Sequence, residues 1–243
     1  MTLSESFAVH GYAVLHAIVD AEELASLLAV YEDFLQQRIP VGSARSDLGG
    51  TGKGEPGQER ITQIMRPSHF FPPLATTPCY ARIRQIVQEI LGPDMELDFD
   101  MLIDKGPYTQ TPTPWHQDEA YWLEMPDKRS VSCWIALDDV FPENGCLWFV
   151  PASHLGPLRS HLQLLPGAAL QCAGDEAEAI VIPLPAGSCT LHHGRTLHYS
   201  RGNTTPSRRR ALILNYRPEA MITLERERGF DHLGERTLRP ENP

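Results

Sequence analysis

The chain has little of several things, and each shortage removes a class of function. It carries 21 Lys and Arg against 31 Asp and Glu, a formal net charge of -10. A nucleic-acid surface needs a basic face to neutralise phosphates, and Arg208-Arg209-Arg210 is too short a cluster to supply one. No run approaches the ~18 consecutive apolar residues of a membrane span. The N-terminal MTLSESFAVHGY has neither a positive flank nor an apolar core, so no export signal is visible. Cysteine is sparse: Cys79, Cys133, Cys146, Cys172 and Cys189 are odd in number and lack CxxC spacing. They read as reduced thiols of a cytoplasmic protein, not as a disulfide framework or a thiolate metal site. What remains is a globular composition, 42% hydrophobic and 21% charged over 243 residues, enough for one large domain.

Periodicity divides the chain. In VDAEELASLLAVYEDFLQQR, Asp20 is placed to cap a helix and Glu23 to complete a capping box. Leu24, Leu27, Leu28, Tyr31 and Leu35 then repeat at helical spacing. A second helix is expected over Tyr80–Leu91, stopped by Gly92-Pro93. Between them Ser43–Arg60 is rich in glycine and charge and reads as a mobile loop, either a plain insertion or a lid over a pocket. From Met95 onward short apolar runs alternate with Gly, Pro and Asp: MELDFDMLID, SVSCWIALDDV, GCLWFVP, EAIVIPLP, GSCTLHH and RRALILNYRP each read as a strand. Period-two alternation sends Val131, Cys133 and Ile135 one way and Ser132, Trp134 and Ala136 the other. Many short strands with turns between them indicate a sandwich or double-sheet jelly roll, and no internal repeat is present. The charged C-terminal LERERGFDHLGERTLRPENP reads as a surface tail or short helix.

The chemistry gathers at TPTPWHQDEAYW, where His116 and Asp118 stand two residues apart. In a strand such residues share a face, so both can reach one ion, although a polar edge strand has the same pattern. His198, after the strand GSCTLHH, offers a second imidazole, and Arg209 follows it by eleven residues. Two histidines and one carboxylate on a single octahedral face leave three positions open, the donor set of non-haem Fe(II) oxygenases. A structural zinc site closes its sphere with four protein ligands, usually including cysteine, and no cysteine here has chelating spacing. A hydrolase or isomerase using zinc in the same triad, or a non-catalytic binding protein, are the competing readings.

The segments FAVHGYAVLHAIVDAEEL, MLIDKGP, WHQD, WIALDD, ENGCLWFVPASH, LHYSRGN and RRRALILNY, in that order, resemble the phytanoyl-CoA dioxygenase family of Fe(II)- and 2-oxoglutarate-dependent oxygenases, with VPASH where VPGSH is usual. The resemblance implies a mainly β fold with flanking α-helices, a double-stranded β-helix (jelly roll, cupin-like), built as one domain. Its helical portion would span about 1–92, its core about 95–220 and its tail about 221–243. It implies iron on His116, Asp118 and His198, and the far carboxylate of 2-oxoglutarate on Arg209, whose planar fork suits a carboxylate. Ser200 would add a hydroxyl there, Trp134 would pack on the cosubstrate, and Gln63 falls where some members make a polar contact to it. The implied reaction consumes O2 and 2-oxoglutarate, releases succinate and CO2, and hydroxylates an unactivated C–H bond of a small molecule. Asp118 favours this over halogenation, since related halogenases carry a small residue in its place.

Neighbouring residues have plainer expectations. Of His192 and His193 at most one can face the site, and His154 belongs to the turn after VPAS. Tyr121 and Trp122 follow the proposed metal strand and are candidate pocket walls, whereas Arg208 and Arg210 should be solvated charges. The pocket's variable walls should come from Ser43–Arg60 and Gly156–Glu178, neither of which carries a motif that names a substrate.

Overall fold

The computed structural model describes residues 1–50, 58–165 and 167–233. Its helices are α1 (Leu3–His10), α2 (Ala21–Leu35), α3 (Pro67–Phe70), α4 (Pro78–Leu91) and α5 (Glu219–Glu227). Strands β1 (Tyr12–Leu15), β2 (Arg45–Asp47), β3 (Thr62–Met65) and β4 (Met95–Lys105) precede β5 (Thr113–His116) and β6 (Val131–Ala136). β7 (Leu147–Phe149), β8 (Ile180–Ile182), β9 (Cys189–His192), β10 (His198–Ser200) and β11 (Arg209–Pro218) follow. They form two antiparallel sheets: a large one in the order β1-β9-β6-β11-β4-β3-β2 and a small one in the order β5-β10-β7-β8. This is the jelly-roll arrangement, and its helices flank the large sheet.

Capping and patterning explain the helices. Asp20 accepts from the amides of Glu22 and Glu23 at 3.0 and 2.9 Å, a cap worth about 1 kcal/mol. Glu23 does not complete the expected capping box. Its carboxylate reaches across to the amide of Cys79 and to Arg82, because tying α2 to the start of α4 satisfies an orphan amide there. Pro78 occupies the first turn of α4, where its missing N–H costs nothing. Ile83 and Val87 are buried on its inner face, and α4 lies against β4.

Every position of β6 is buried, because it is central in a sheet covered on both faces. Cys133 lies toward Cys79 of α4, while Ser132 and Trp134 face the small sheet. One buried cluster runs from Phe7 in α1 to Tyr216 in β11.

The charged segment 43–60 is not simply a mobile loop. Arg45–Asp47 pairs with β3 as an edge strand, and Arg45 binds Glu59 at 2.6 Å with both side chains almost wholly covered. Asp47 accepts from the amides of Gly49 and Ile61 at 3.0 and 3.1 Å. Arg45, Asp47 and Glu59 are therefore satisfied by partners close at hand, which composition alone does not reveal. The lid reading covers the whole of 43–60, of which residues 51–57 lie outside the described residues. At the other end α5 forms, with Glu225 fully buried, so the segment is not merely a surface tail; residues 234–243 lie outside the described residues.

Candidate active site

The small sheet brings the two imidazoles together. β5 and β10 are antiparallel with His116 directly opposite His198, and the ring centroids are 4.1 Å apart. Asp118 is not on the strand, as its spacing suggested. β5 ends at His116, and Asp118 opens a short 3₁₀ turn over Asp118–Tyr121. Gln117 between them is extended (φ -124, ψ 127), so the two side chains still emerge on the same side. Asp118 Oδ1 lies 3.6 Å from His116 Nε2 and 3.8 Å from His198 Nε2. All three donors fall within 4.8 Å of one another, a little wider than the ~3 Å edge of an octahedron with bonds of ~2.1 Å.

The proton side of each ligand candidate is occupied. His116 Nδ1 donates to the carbonyl of Pro114 at 2.7 Å and His198 Nδ1 to that of Thr196 at 2.9 Å. These bonds fix the tautomer and leave both Nε2 lone pairs aimed at one point, as metal-binding histidines require. Burial, with His116 and His192 nearby, pushes the pKa of His198 well below its ordinary value, so the ring is neutral. Burial raises that of Asp118, but His198, His192 and His116 outweigh it and hold the carboxyl far below the usual range. Neutral imidazoles and an ionised carboxylate are the forms that bind a cation, and the residues fit Fe(II).

Gln117 ties this segment down: its Nε2 donates to Arg195 O at 2.7 Å and its Oε1 accepts from Arg159 N at 2.8 Å. Glu119 forks onto Arg195 at 2.7 and 2.8 Å. The segment carrying His116 and Asp118 is thereby clamped to the turn that leads into His198.

A cavity runs from this cluster past Trp134 to Ser200 and Arg209. Arg209 begins β11 and is 1% exposed, with its guanidinium 4.7 Å over the Trp134 ring. Its Nε and Nη2 donate to the carbonyl of Gly145 at 2.9 and 2.7 Å, and Nη2 lies 3.4 Å from Ser200 Oγ. Among the described residues no hydrogen bond engages Nη1. Gly145 has φ +92, and a Cβ there would meet Arg201 O at 2.5 Å, so the ENGC turn needs glycine to present this carbonyl. Burial pulls the Arg209 pKa down to about 10, which leaves it cationic.

Sequence reading missed Lys105. It ends β4 directly opposite Arg209 and is fully buried. Its ammonium donates to Ser200 Oγ at 2.9 Å, Arg201 O at 2.7 Å and Ser200 O at 3.3 Å. Burial and the neighbouring Arg209 lower its pKa well below the ordinary lysine value. Among the described residues neither Lys105 nor Arg209 has a carboxylate partner. The two flanking arginines do, and so are not the solvated charges expected: Arg208 pairs with Asp104 and Arg210 with Asp138. The one signal in the sequence was the lysine of MLIDKGP, at the end of a strand.

The other candidates divide. Ser200, Trp134 and Tyr121 line the cavity, and Trp122 does not, packing instead beneath Gly194 and Arg217. Gln63 is fully buried on β3 opposite Ile103, with its amide 3.4 Å from Met101 Sδ, and both of those residues line the cavity. His192 faces the site and reaches Asp118 Oδ2 at 3.2 Å, whereas His193 packs outward against Phe7 and His154. From Gly156–Glu178, the amide of Leu170 reaches the Tyr121 hydroxyl at 2.7 Å behind the cavity.

The family described as phytanoyl-CoA dioxygenase matches residues 7–211. A probable alpha-ketoglutarate-dependent hypophosphite dioxygenase of Stutzerimonas stutzeri is 28% identical over 85% of this chain and 74% of its own length. Phytanoyl-CoA dioxygenase domain-containing protein 1 of Bos taurus is 29% identical over 66% of this chain, which spans only 58% of that relative. Among solved structures, EvdO2 of Micromonospora carbonacea var. aurantiaca, complexed with 2-oxoglutarate, superposes with a TM-score of 0.72 and 30% identity. That match covers 88% of this chain and 89% of EvdO2.

Proposed function

The chain belongs to the phytanoyl-CoA dioxygenase family, and from that premise we propose that it is an Fe(II)- and 2-oxoglutarate-dependent oxygenase hydroxylating an unactivated C–H bond of a small molecule. His116, Asp118 and His198 hold the iron, and Arg209 with Ser200 binds the far carboxylate of 2-oxoglutarate. The observation that carries the reading is the uncompensated charge at the cavity's far end. Arg209 is a fully buried cation beside the Lys105 amine and, among the described residues, makes no ion pair with a carboxylate, and burying a charge unpaired is costly. A dianionic keto acid supplies the missing charge at a site a hydrolase or isomerase would not need. The iron, with 2-oxoglutarate and O2, supplies the oxidising chemistry whose products are succinate, CO2 and the hydroxylated substrate.

The protein's own work is placement. Gly145 O orients Arg209, the Trp134 ring covers the guanidinium, and Ser200 offers a hydroxyl backed by Lys105. Gln63, which the resemblance gives a polar contact to the cosubstrate, has its amide 3.4 Å from Met101 Sδ, and Met101 lines the cavity. Residues 1–243 act as one oxygenase domain, a reading supported by the single main core cluster that links the helices to the large sheet. No helix of the described residues is long and apolar enough to cross a membrane, and the five unpaired cysteines support a place in the reducing cytoplasm.

Anaerobic addition of Fe(II) and 2-oxoglutarate should produce a weak visible charge-transfer band, and aerobic incubation should yield succinate. Tight zinc binding with no such band would sink the proposal. Arg209→Ala should raise the half-saturating 2-oxoglutarate concentration about 100-fold, the loss of ~3 kcal/mol of charged hydrogen bonds, while iron affinity stays near that of the wild type. An unchanged 2-oxoglutarate dependence would refute the assignment of Arg209.

A further inference from the structure

Beneath the metal cluster the large sheet carries a polar row. His192 in β9, Ser132 in β6 and Asn215 in β11 are successive cross-strand partners, so their side chains stand on one face. None is more than 2% exposed. Polar groups this deep need partners, and the row finds its partner in Asp118. Ser132 Oγ lies 2.6 Å and His192 Nε2 3.2 Å from Asp118 Oδ2.

Asn215 decides the direction of the row. Its Oδ1 is 2.9 Å from Ser132 Oγ while its Nδ2 has no partner. A hydroxyl has a single hydrogen and cannot donate to both Asn215 Oδ1 and Asp118 Oδ2. With the amide turned over, Asn215 Nδ2 donates to Ser132 Oγ, the hydroxyl hydrogen goes to Asp118, and the orphaned donor is satisfied. His192 must carry its proton on Nε2, because a carboxylate oxygen only accepts.

Resting on the metal reading above, we propose that His192, Ser132 and Asn215 are positioning residues that occupy Asp118 Oδ2 and present Oδ1 alone to the metal. Oδ1 is the oxygen facing both histidine nitrogens. A carboxylate bound through both oxygens takes one coordination position more, and a triad that must accept a chelating keto acid and O2 has none to spare.

The test is anaerobic titration of the full-length protein with Co(II), reading both the dissociation constant and the visible ligand-field spectrum. Ser132→Ala and His192→Phe should each weaken Co(II) binding roughly 10- to 100-fold and shift the spectrum. His192→Gln, which keeps an amide donor, should recover most of the affinity. Circular dichroism identifies any variant that fails to fold, and the two positions give independent readings. Wild-type affinity and spectrum in both Ser132→Ala and His192→Phe would overturn the proposal, as would a loss that Gln does not relieve, since packing would then be the cause. A wild-type protein that binds no Co(II) would refute the metal site itself, and the row with it.

Discussion

His198→Ala should abolish the visible band of the Fe(II)–2-oxoglutarate complex and lower succinate formation by at least ~10³-fold, the several kcal/mol expected if the residue is a ligand of a catalytic metal. The reasoning is geometric. His198 stands opposite His116 in the β5–β10 pair, and its Nε2 has no other visible task once Nδ1 is held by Thr196 O. No neighbour can replace it: the Nε2 of His192 is committed to Asp118 Oδ2. His193→Ala is the matched control. That ring lies on the outer side of the same segment, against Phe7 and His154, so its loss should leave the band in place. A band that survives His198→Ala, or disappears equally in both variants, contradicts the assignment.

Glu225→Ala should cost about 3–5 kcal/mol of folding stability. Glu225 is fully buried in α5, where it meets Arg217, Arg226 and His232, with Asp98 completing the cluster. Arg217 also lies 5.3 Å over the Trp122 ring. Removing one acid leaves two guanidiniums, one of them buried, to share Asp98 alone, which is why the loss should exceed that of a surface pair. Burial raises the Glu225 pKa, but hydrogen bonds from His232 and Arg217 outweigh it and bring the carboxyl down to about 2, from an ordinary 4.5. A depressed carboxylate stabilises the fold above its unfolded pKa and loses that contribution as pH falls toward the folded value. The gap in unfolding free energy between wild type and Glu225→Ala should therefore be full at neutral pH and shrink between pH ~4.5 and ~2. Denaturant titrations across that window measure it, and a gap independent of pH would show that lost packing, not charge, sets the cost.

What could be read along the chain was whatever depends on near neighbours. Alternation placed β6 with Ser132 and Trp134 on one side, and helical spacing placed α2 and α4. His116, Asp118, His198 and Arg209 could be singled out because the H-x-D spacing puts two side chains on one side of an extended segment and the resemblance supplies the other two, although the chain did not show that β5 ends at His116. What stayed hidden depends on partners distant in sequence. β2 looked like loop because its charges are matched by Glu59 and by backbone amides. Lys105 gains meaning only when β4 meets β11 and sets it against Arg209. The row from His192 to Asn215 crosses three strands that are far apart in the chain, so no local pattern records it.

The two sheets contribute differently to the cluster around Asp118. Both imidazoles belong to the small sheet and its flanking turn, while the acid is steadied from the large sheet by Ser132 and His192. A cation bound there is a rivet through a seam, holding the halves of the sandwich against each other. Stripping it with a chelator should lower the melting temperature, and restoring it should raise that temperature with the logarithm of free metal concentration, because a ligand that binds only the folded form stabilises by mass action.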